Sequence, residues 1–133
     1  MKFPPNKVYA AFSDPLLLTG WWGPKDFKNT FEVFEFKTNG IWKFIMHGPD
    51  GHNYQNENLF IELIPAEKIA IRHISQPNFT LTVTLSPNDA GTQLVWAQEF
   101  DDPKFAESVR HIVEPSNEQN LDRLEMVLAG ELN

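Results

Sequence analysis

The chain contains no cysteine, which excludes a disulfide framework, a thiol nucleophile and any thiolate metal site, and fits a reducing compartment. It also lacks a continuous apolar run of the ~18 residues that would predict a membrane-spanning helix. The opening Met1-Lys2-Phe3-Pro4-Pro5 has none of the apolar stretch of a secretory leader, so the expected setting is cytoplasmic, with no membrane partner. Positive charge is scarce, with 11 Lys and Arg against 18 Asp and Glu for a net charge of -7. The basic residues are scattered and form no stripe, which argues against a nucleic-acid partner. The four histidines, His47, His52, His73 and His111, include no close metal-binding pair such as HExxH, and no metal or cofactor is expected. Nucleophile-elbow, P-loop and dinucleotide fingerprints are missing too, which removes the common hydrolase and nucleotide-enzyme classes.

Aromatic rings are abundant instead: four Trp, two Tyr and eleven Phe among 133 residues. A chain of this length forms one domain, here residues 1–133, that buries roughly two thirds of its unfolded surface. The densest aromatic feature is Trp21-Trp22-Gly23-Pro24. Two adjacent indoles carry a large apolar area with one N–H each, so at least one is expected to be buried and paired. Gly23 and Pro24 stop a helix at that point. One indole is expected to be a packed plug, and Trp22 to form the lip of a cavity.

Before this element, Pro4-Pro5 opens a short helix over residues 6–12 with Val8, Ala11 and Phe12 on one face. Ser13-Asp14-Pro15 caps a second over residues 16–19. From Thr30 the periodicity becomes two, which predicts strands at residues 30–37, 41–47, 53–64, 69–74, 79–85 and 92–100. Asn39-Gly40 and Asp50-Gly51 are tight-turn dipeptides, and residues 87–91 make a longer reversal, so the sheet is an antiparallel set of hairpins. Phe79, Leu81, Val83 and Leu85 alternate with threonines and fix the buried face. Phasing from them turns Trp42, Phe44, Met46, Ile69, Ile71 and His73 inward, with Lys43, His47 and Arg72 outward. The long segment 53–64 leaves room for a bulge. After Asp101-Asp102-Pro103 the period is helical again, with Phe105, Val109, Ile112 and Val113 on one side. Glu114-Pro115-Ser116 then interrupts, and Pro115 reads as the start of a new helix whose stripe is Leu121, Leu124, Val127 and Leu128. The fold class is α+β: a curved sheet of six to seven strands closed on a long C-terminal helix, with two short helices near the N-terminus.

Several side chains could carry chemistry. His73 is an imidazole turned toward an apolar interior, fit for proton transfer or for orienting a ligand, or alternatively a neutral core histidine bonded to a neighbouring strand. Tyr54, Asn56 and Asn58 share one strand face. Facing inward they would orient a ligand, whereas facing outward they are a wetted surface. Glu62 is the second candidate acid or base if buried, and a lysine-paired surface group if not. Trp22, Trp42, Phe44, Met46, Phe79, Trp96 and Met126 are the apolar residues expected to line a cavity, although the same residues would serve equally in a solid core.

Asp14-Pro15 with Trp21-Trp22-Gly23-Pro24, the segment from Gly40 through Trp42-Lys43-Phe44 to Gly51, and Glu62-Leu63-Ile64-Pro65-Ala66-Glu67-Lys68-Ile69 resemble, in order and over nearly the whole chain, the bacterial branch of the SRPBCC (START/Bet v 1-like) superfamily labelled activator of Hsp90 ATPase homologue 1-like. The resemblance implies a helix-grip fold with an internal cavity between sheet and C-terminal helix. It implies binding of a small hydrophobic molecule, aromatic or lipid-like. Polyketide cyclase or dehydratase chemistry in the same cavity, with His73 or Glu62 moving the proton, is the alternative, and an Hsp90 co-chaperone-like interaction module is the third. Two departures concern the architecture. Only Met1-Lys2-Phe3 precede Pro4 where relatives carry a longer first strand, which would leave part of the 92–100 strand as an open edge able to pair with a second copy in a homodimer. Pro115-Ser116 stands where relatives often have glycines before the last helix.

Overall fold

The computed structural model describes residues 1–130. Its first element, α1 (Pro5–Ser13), begins at a proline whose missing N–H costs nothing there, and it buries Val8, Ala11 and Phe12. The chain turns at Asp14, whose carboxylate accepts from the Leu16 N–H at 2.9 Å and caps α2 (Pro15–Trp21). This helix runs farther than its sequence predicts, through Gly20, so the two tryptophans are divided. Trp21 is the last helical residue and Trp22 the C-cap.

Six strands follow: β1 (Lys28–Phe34), β2 (Ile41–His47), β3 (Asn53–Ile64), β4 (Lys68–His73), β5 (Phe79–Asn88) and β6 (Gly91–Phe100). They pair in sequence order, each antiparallel to the next. At the β1–β2 connection Asn39 takes φ +67, and Gly40 passes so close that a Cβ there would lie 2.0 Å from the Glu35 carbonyl oxygen. Only glycine fits that passage. The last hairpin is tighter than expected, since Pro87 pairs with Thr92 and Asn88 with Gly91 across a two-residue turn.

Register shifts interrupt β1 between Phe31 and Val33 and β3 between Phe60 and Glu62. A bulge of this kind reverses which parity faces the core. In β3 the inward residues are Asn56, Asn58 and Phe60 before the bulge and Leu63 after it, which turns Glu62 to solvent. Residues 1–3 do reach the outer strand, but only at its start. Thr92 N–H donates to Met1 O at 2.9 Å and Thr92 Oγ1 to Phe3 O at 2.5 Å. Beyond Thr92, β6 is the sheet's last strand among the described residues.

The helix α3 (Pro103–Leu128) is capped by Asp102, which accepts from the Lys104 N–H at 2.9 Å. It is a single helix, with Pro115 inside it, and the interruption expected there does not occur. Proline in a helix removes one hydrogen bond, here the one to the His111 carbonyl, and both residues lie on the exposed side of the helix. The C-terminal half buries Asn120, Leu124, Val127 and Leu128. The N-terminal half packs loosely: Phe105 edges against Phe100 at 5.7 Å between centroids, while Ile112 stays 57% exposed.

Trp42 sits at the centre of the core. Its ring lies 4.6 Å from Phe44, 5.7 Å and nearly parallel to Phe60, and 4.9 Å edge-on from Trp22. Trp21 is fully buried, and its indole N–H donates to Ala11 O at 2.9 Å, fastening α2 onto α1. No helix among the described residues is long and apolar enough to cross a membrane.

Candidate functional site: a neutral cavity between sheet and helix

Where the sheet curves away from the middle of α3, a cavity of about 180 Å³ remains. Phe44 and Met46 of β2, Asn56 and Asn58 of β3, and Ile71 and His73 of β4 form one wall. Phe79 and Leu81 of β5 with Trp96 and Gln98 of β6 continue it. Ser116, Asn117 and Asn120 of α3 face them, and Trp22, Gly23 and Pro24 close the end. Strand register explains the assembly: Phe44 is opposite Asn56, Asn58 opposite His73 and His73 opposite Phe79, so the inward row is continuous.

The polar groups are amides, one hydroxyl and one imidazole; among the described residues no Asp, Glu, Lys or Arg lines the cavity. Most are engaged by protein. Asn58 Nδ2 donates to Trp42 O at 3.3 Å, Asn117 Nδ2 to Gln98 Oε1 at 3.0 Å and Asn56 Nδ2 to Tyr54 O at 3.1 Å. His73 Nδ1 donates to Pro77 O at 2.8 Å and Nε2 receives the Ser75 hydroxyl at 3.2 Å, with the Asn56 side-chain amide 2.9 Å from Nε2. The ring stacks on Phe79 at 4.4 Å. Burial pushes the His73 pKa below its ordinary value, against the smaller opposing effect of the Pro77 carbonyl. Among the described residues, two buried atoms of cavity-lining residues have no partner, the Asn120 carbonyl oxygen and the Trp96 indole nitrogen.

The expected site residues divide. Trp22, Phe44, Met46, Asn56, His73, Phe79 and Trp96 all line the cavity. Trp42 does not; it is buried behind Phe44 as core. Tyr54 shares the parity of Asn56 but lies beyond the cavity's end, 48% exposed and beside Phe27. Met126 is 40% exposed on the outer side of α3, in an open groove of about 650 Å³ shared with Lys25, Asp26 and Asp122. Glu62 pairs with Lys68 at 2.5 Å on the outer face, so the bulge removes it from any acid–base role inside. Among the described residues no three His, Asp or Glu are placed to hold a metal.

Sequence reasoning passed over Asn117, Asn120, Gln98 and Arg123. The first two carried a readable signal, because 117, 120, 124 and 127 fall on one helical stripe whose later members are apolar. Arg123 gave none. Its guanidinium reaches across to the tryptophan turn, donating to Gly23 O and Pro24 O at 2.9 Å each and to Gly20 O at 3.1 Å. The end of α2, where carbonyls lack helical partners, is thereby tied to α3.

An antiparallel meander wrapped on a long C-terminal helix around a cavity is the helix-grip architecture. Residues 2–129 match the model of the family described as "Activator of Hsp90 ATPase homolog 1-like protein", and the chain belongs to that family. Similar solved structures include protein NE0264 from Nitrosomonas europaea, at TM-score 0.90 and 20% identity over 98% of this chain and 90% of that one. Protein CV1439 from Chromobacterium violaceum superposes at TM-score 0.82 and 26% identity, over 93% of this chain and 88% of its own. The AHSA1 protein from Silicibacter pomeroyi gives TM-score 0.79 at 21% identity, over 98% and 94% respectively. No curated protein matches the sequence significantly.

Proposed function

We propose that the protein binds a small hydrophobic molecule in the cavity between the sheet and α3. The observation that carries this reading is an interior space of about 180 Å³ walled by Trp22, Phe44, Phe79 and Trp96, in a domain that otherwise packs its aromatics tightly. An apolar cavity of about 150 Å³ is large enough to take benzene. Proton-transfer chemistry has less support. His73 has both ring nitrogens engaged by protein atoms, Nδ1 by the Pro77 carbonyl and Nε2 by the Ser75 hydroxyl, and among the described residues no carboxylate lines the space to act with it. The co-chaperone role in the family's description belongs to a protein surface, whereas the feature that distinguishes this molecule is interior.

The test is a titration with benzene and with phenol followed through the four indole N–H signals in nitrogen-correlated NMR spectra. Saturable shifts at Trp96 and Trp22, with Trp21 still because its N–H is bonded to Ala11, are expected. If neither ring-sized probe gives a saturable response at those two signals, the cavity is not a binding site.

A further inference from the structure

We propose that the free edge of β6 is a docking site for an extended peptide strand, antiparallel to β6, whose side chains alternate between apolar groups facing α3 and basic groups facing outward. This surface lies outside the cavity and does not depend on what the cavity holds.

Register shows which backbone groups are free. Asn88 and Gly91 close a two-residue turn and so form a hydrogen-bonded pair, and the β5–β6 register runs unbroken from there to Phe79 and Phe100. Gly91, Gln93, Val95, Ala97 and Glu99 therefore bond to β5, while Thr92, Leu94, Trp96 and Gln98 turn their N–H and C=O to the other side. Thr92 fixes the same phase independently, because it exchanges both bonds with Met1, donating at 2.9 Å and accepting at 2.8 Å. Among the described residues no backbone group pairs with the outer edge of Leu94, Trp96 and Gln98.

The two outer strands differ. β1 carries the register shift between Phe31 and Val33, one of the devices that keep an edge from pairing with another chain. Between Thr92 and Phe100 there is no bulge, proline or lysine. Such an edge is a template for strand addition, in which main-chain bonds supply affinity and alternate side chains supply selectivity. Room exists beside it: two clefts of about 570 and 580 Å³ separate β6 from α3 and share Trp96 and Asn117.

Side-chain chemistry selects the occupant. A residue bonded to Leu94, Trp96 or Gln98 shares the face of its partner, so its side chain meets Trp96, Ala106, Val113 and Leu121 in the clefts. That favours apolar groups. The alternate residues point to the outer face, where Glu99 stands, and Glu107, Glu114 and Glu118 of α3 also line the clefts. Arg110 is shared between Glu107 and Glu114, and among the described residues neither Glu99 nor Glu118 has an ion-pair partner. Lysine or arginine at the alternate positions supplies the complementary charge. A second copy would instead bring an equally acidic rim from a chain of net charge -7, and that repulsion disfavours it as the occupant.

Capped peptides of about seven residues, the length of the free edge, test this on the full chain. One alternates lysine with valine and another glutamate with valine; two more carry the lysine sequence with the backbone N-methylated at the valines or at the lysines. Amide hydrogen exchange and NMR titration are the readouts. The lysine peptide should slow exchange at the Leu94, Trp96 and Gln98 amides by about tenfold or more and leave Gln93 and Val95, already bonded to β5, unchanged. The glutamate peptide should bind at least about tenfold more weakly, and the exposed charge reversal Glu99→Lys should narrow that gap by about threefold or more. Methylating the valines, whose N–H groups face β6, should abolish the protection, whereas methylating the lysines should not. No protection by the lysine peptide, an equal response to the glutamate peptide, or the opposite methylation pattern would overturn the proposal. Protection of the same three amides that rises with protein concentration in the absence of peptide would also overturn it, by making a second copy the occupant.

Discussion

Replacing Arg123 by methionine isolates what holds the tryptophan turn in place. The variant keeps an unbranched stem of similar reach and removes the guanidinium. Three carbonyls then lose a charge-assisted donor: Gly23 O, Pro24 O and Gly20 O, at 2.9, 2.9 and 3.1 Å. The fourth contact, to Trp22 O at 3.4 Å, is long, and that oxygen keeps the Asn29 amide at 2.8 Å. Hydrogen bonds to charged groups contribute about 1.5–3 kcal/mol each. Two effects reduce the sum. Burial opposes the charged guanidinium, as its lowered pKa shows, and the half-exposed turn can recruit water in the variant. A net loss of about 2–3 kcal/mol remains. With an unfolding entropy of about 2.1 cal/mol/K per residue, this corresponds to a melting temperature lowered by about 7–10 °C, measurable by calorimetry and checked against urea midpoints. The Trp22 indole N–H signal should broaden or shift, because the ring is positioned by the turn. Arg110→Met, which breaks only exposed pairs with Glu107 and Glu114, is the control and should melt with the wild type. Arg123→Met within about 0.5 kcal/mol of wild type would refute the argument that this side chain clamps α2 to α3.

Stability should also respond to acid through His73. Its folded pKa is depressed by burial, so between that value and the unfolded value near 6.5 the unfolded chain binds more protons than the native one. Stability is therefore full above about pH 6.5, falls as pH drops through that window, and levels off below the folded pKa. Urea melts of wild type minus His73→Gln across pH 5 to 7.5 isolate the effect; a difference that grows on acidification would contradict it. Gly40→Ala should cost about 3 kcal/mol or more, since its Cβ would strike the backbone oxygens of Glu35 and Lys37 at 2.0 and 2.8 Å. Gly51→Ala, at φ +87 with open space around it, should cost only the left-handed strain of about 1–2 kcal/mol. The ratio of the two urea-derived losses is the check. Glu62→Gln should leave probe binding unchanged and lower the melting temperature by no more than about 2 °C, and a loss of binding would mean that the carboxylate reaches the cavity.

How far the sequence speaks for the structure depends on the range of the interaction. Local signals were legible: the alternation of Phe79, Leu81, Val83 and Leu85 against threonines sets β5, Asn39-Gly40 sets the first hairpin, and Val8, Ala11 and Phe12 set the buried face of α1. The cavity wall was legible where parity runs unbroken, at Phe44, Met46 and His73, whereas the facing of Asn56 was left open by the long 53–64 strand. Parity fails beyond a bulge, which is why the sequence leaves Glu62 either buried or lysine-paired and the structure gives the pair with Lys68 on the outer face. Pro115 reads as a helix start because proline costs a hydrogen bond, yet α3 runs through it at an exposed position. Arg123 illustrates a third limit: its partners lie about a hundred positions away, and no periodicity reports such a pairing.

Asn120 separates a packing residue from a functional one. A solid core between α3 and the sheet would need only apolar side chains at that helical position, since Leu124 and Val127 continue the same stripe. An amide there, buried to 6% exposure with its oxygen unpaired, costs about 1–3 kcal/mol in the ligand-free protein. Leucine is close in size and has no polar group to desolvate. Asn120→Leu should therefore stabilise the ligand-free protein by about 1–2 kcal/mol, raising its melting temperature by about 4–7 °C. If the leucine variant proves less stable than the wild type without ligand, Asn120 is paired in solution, and the cavity's polar lining is architecture rather than a recognition surface.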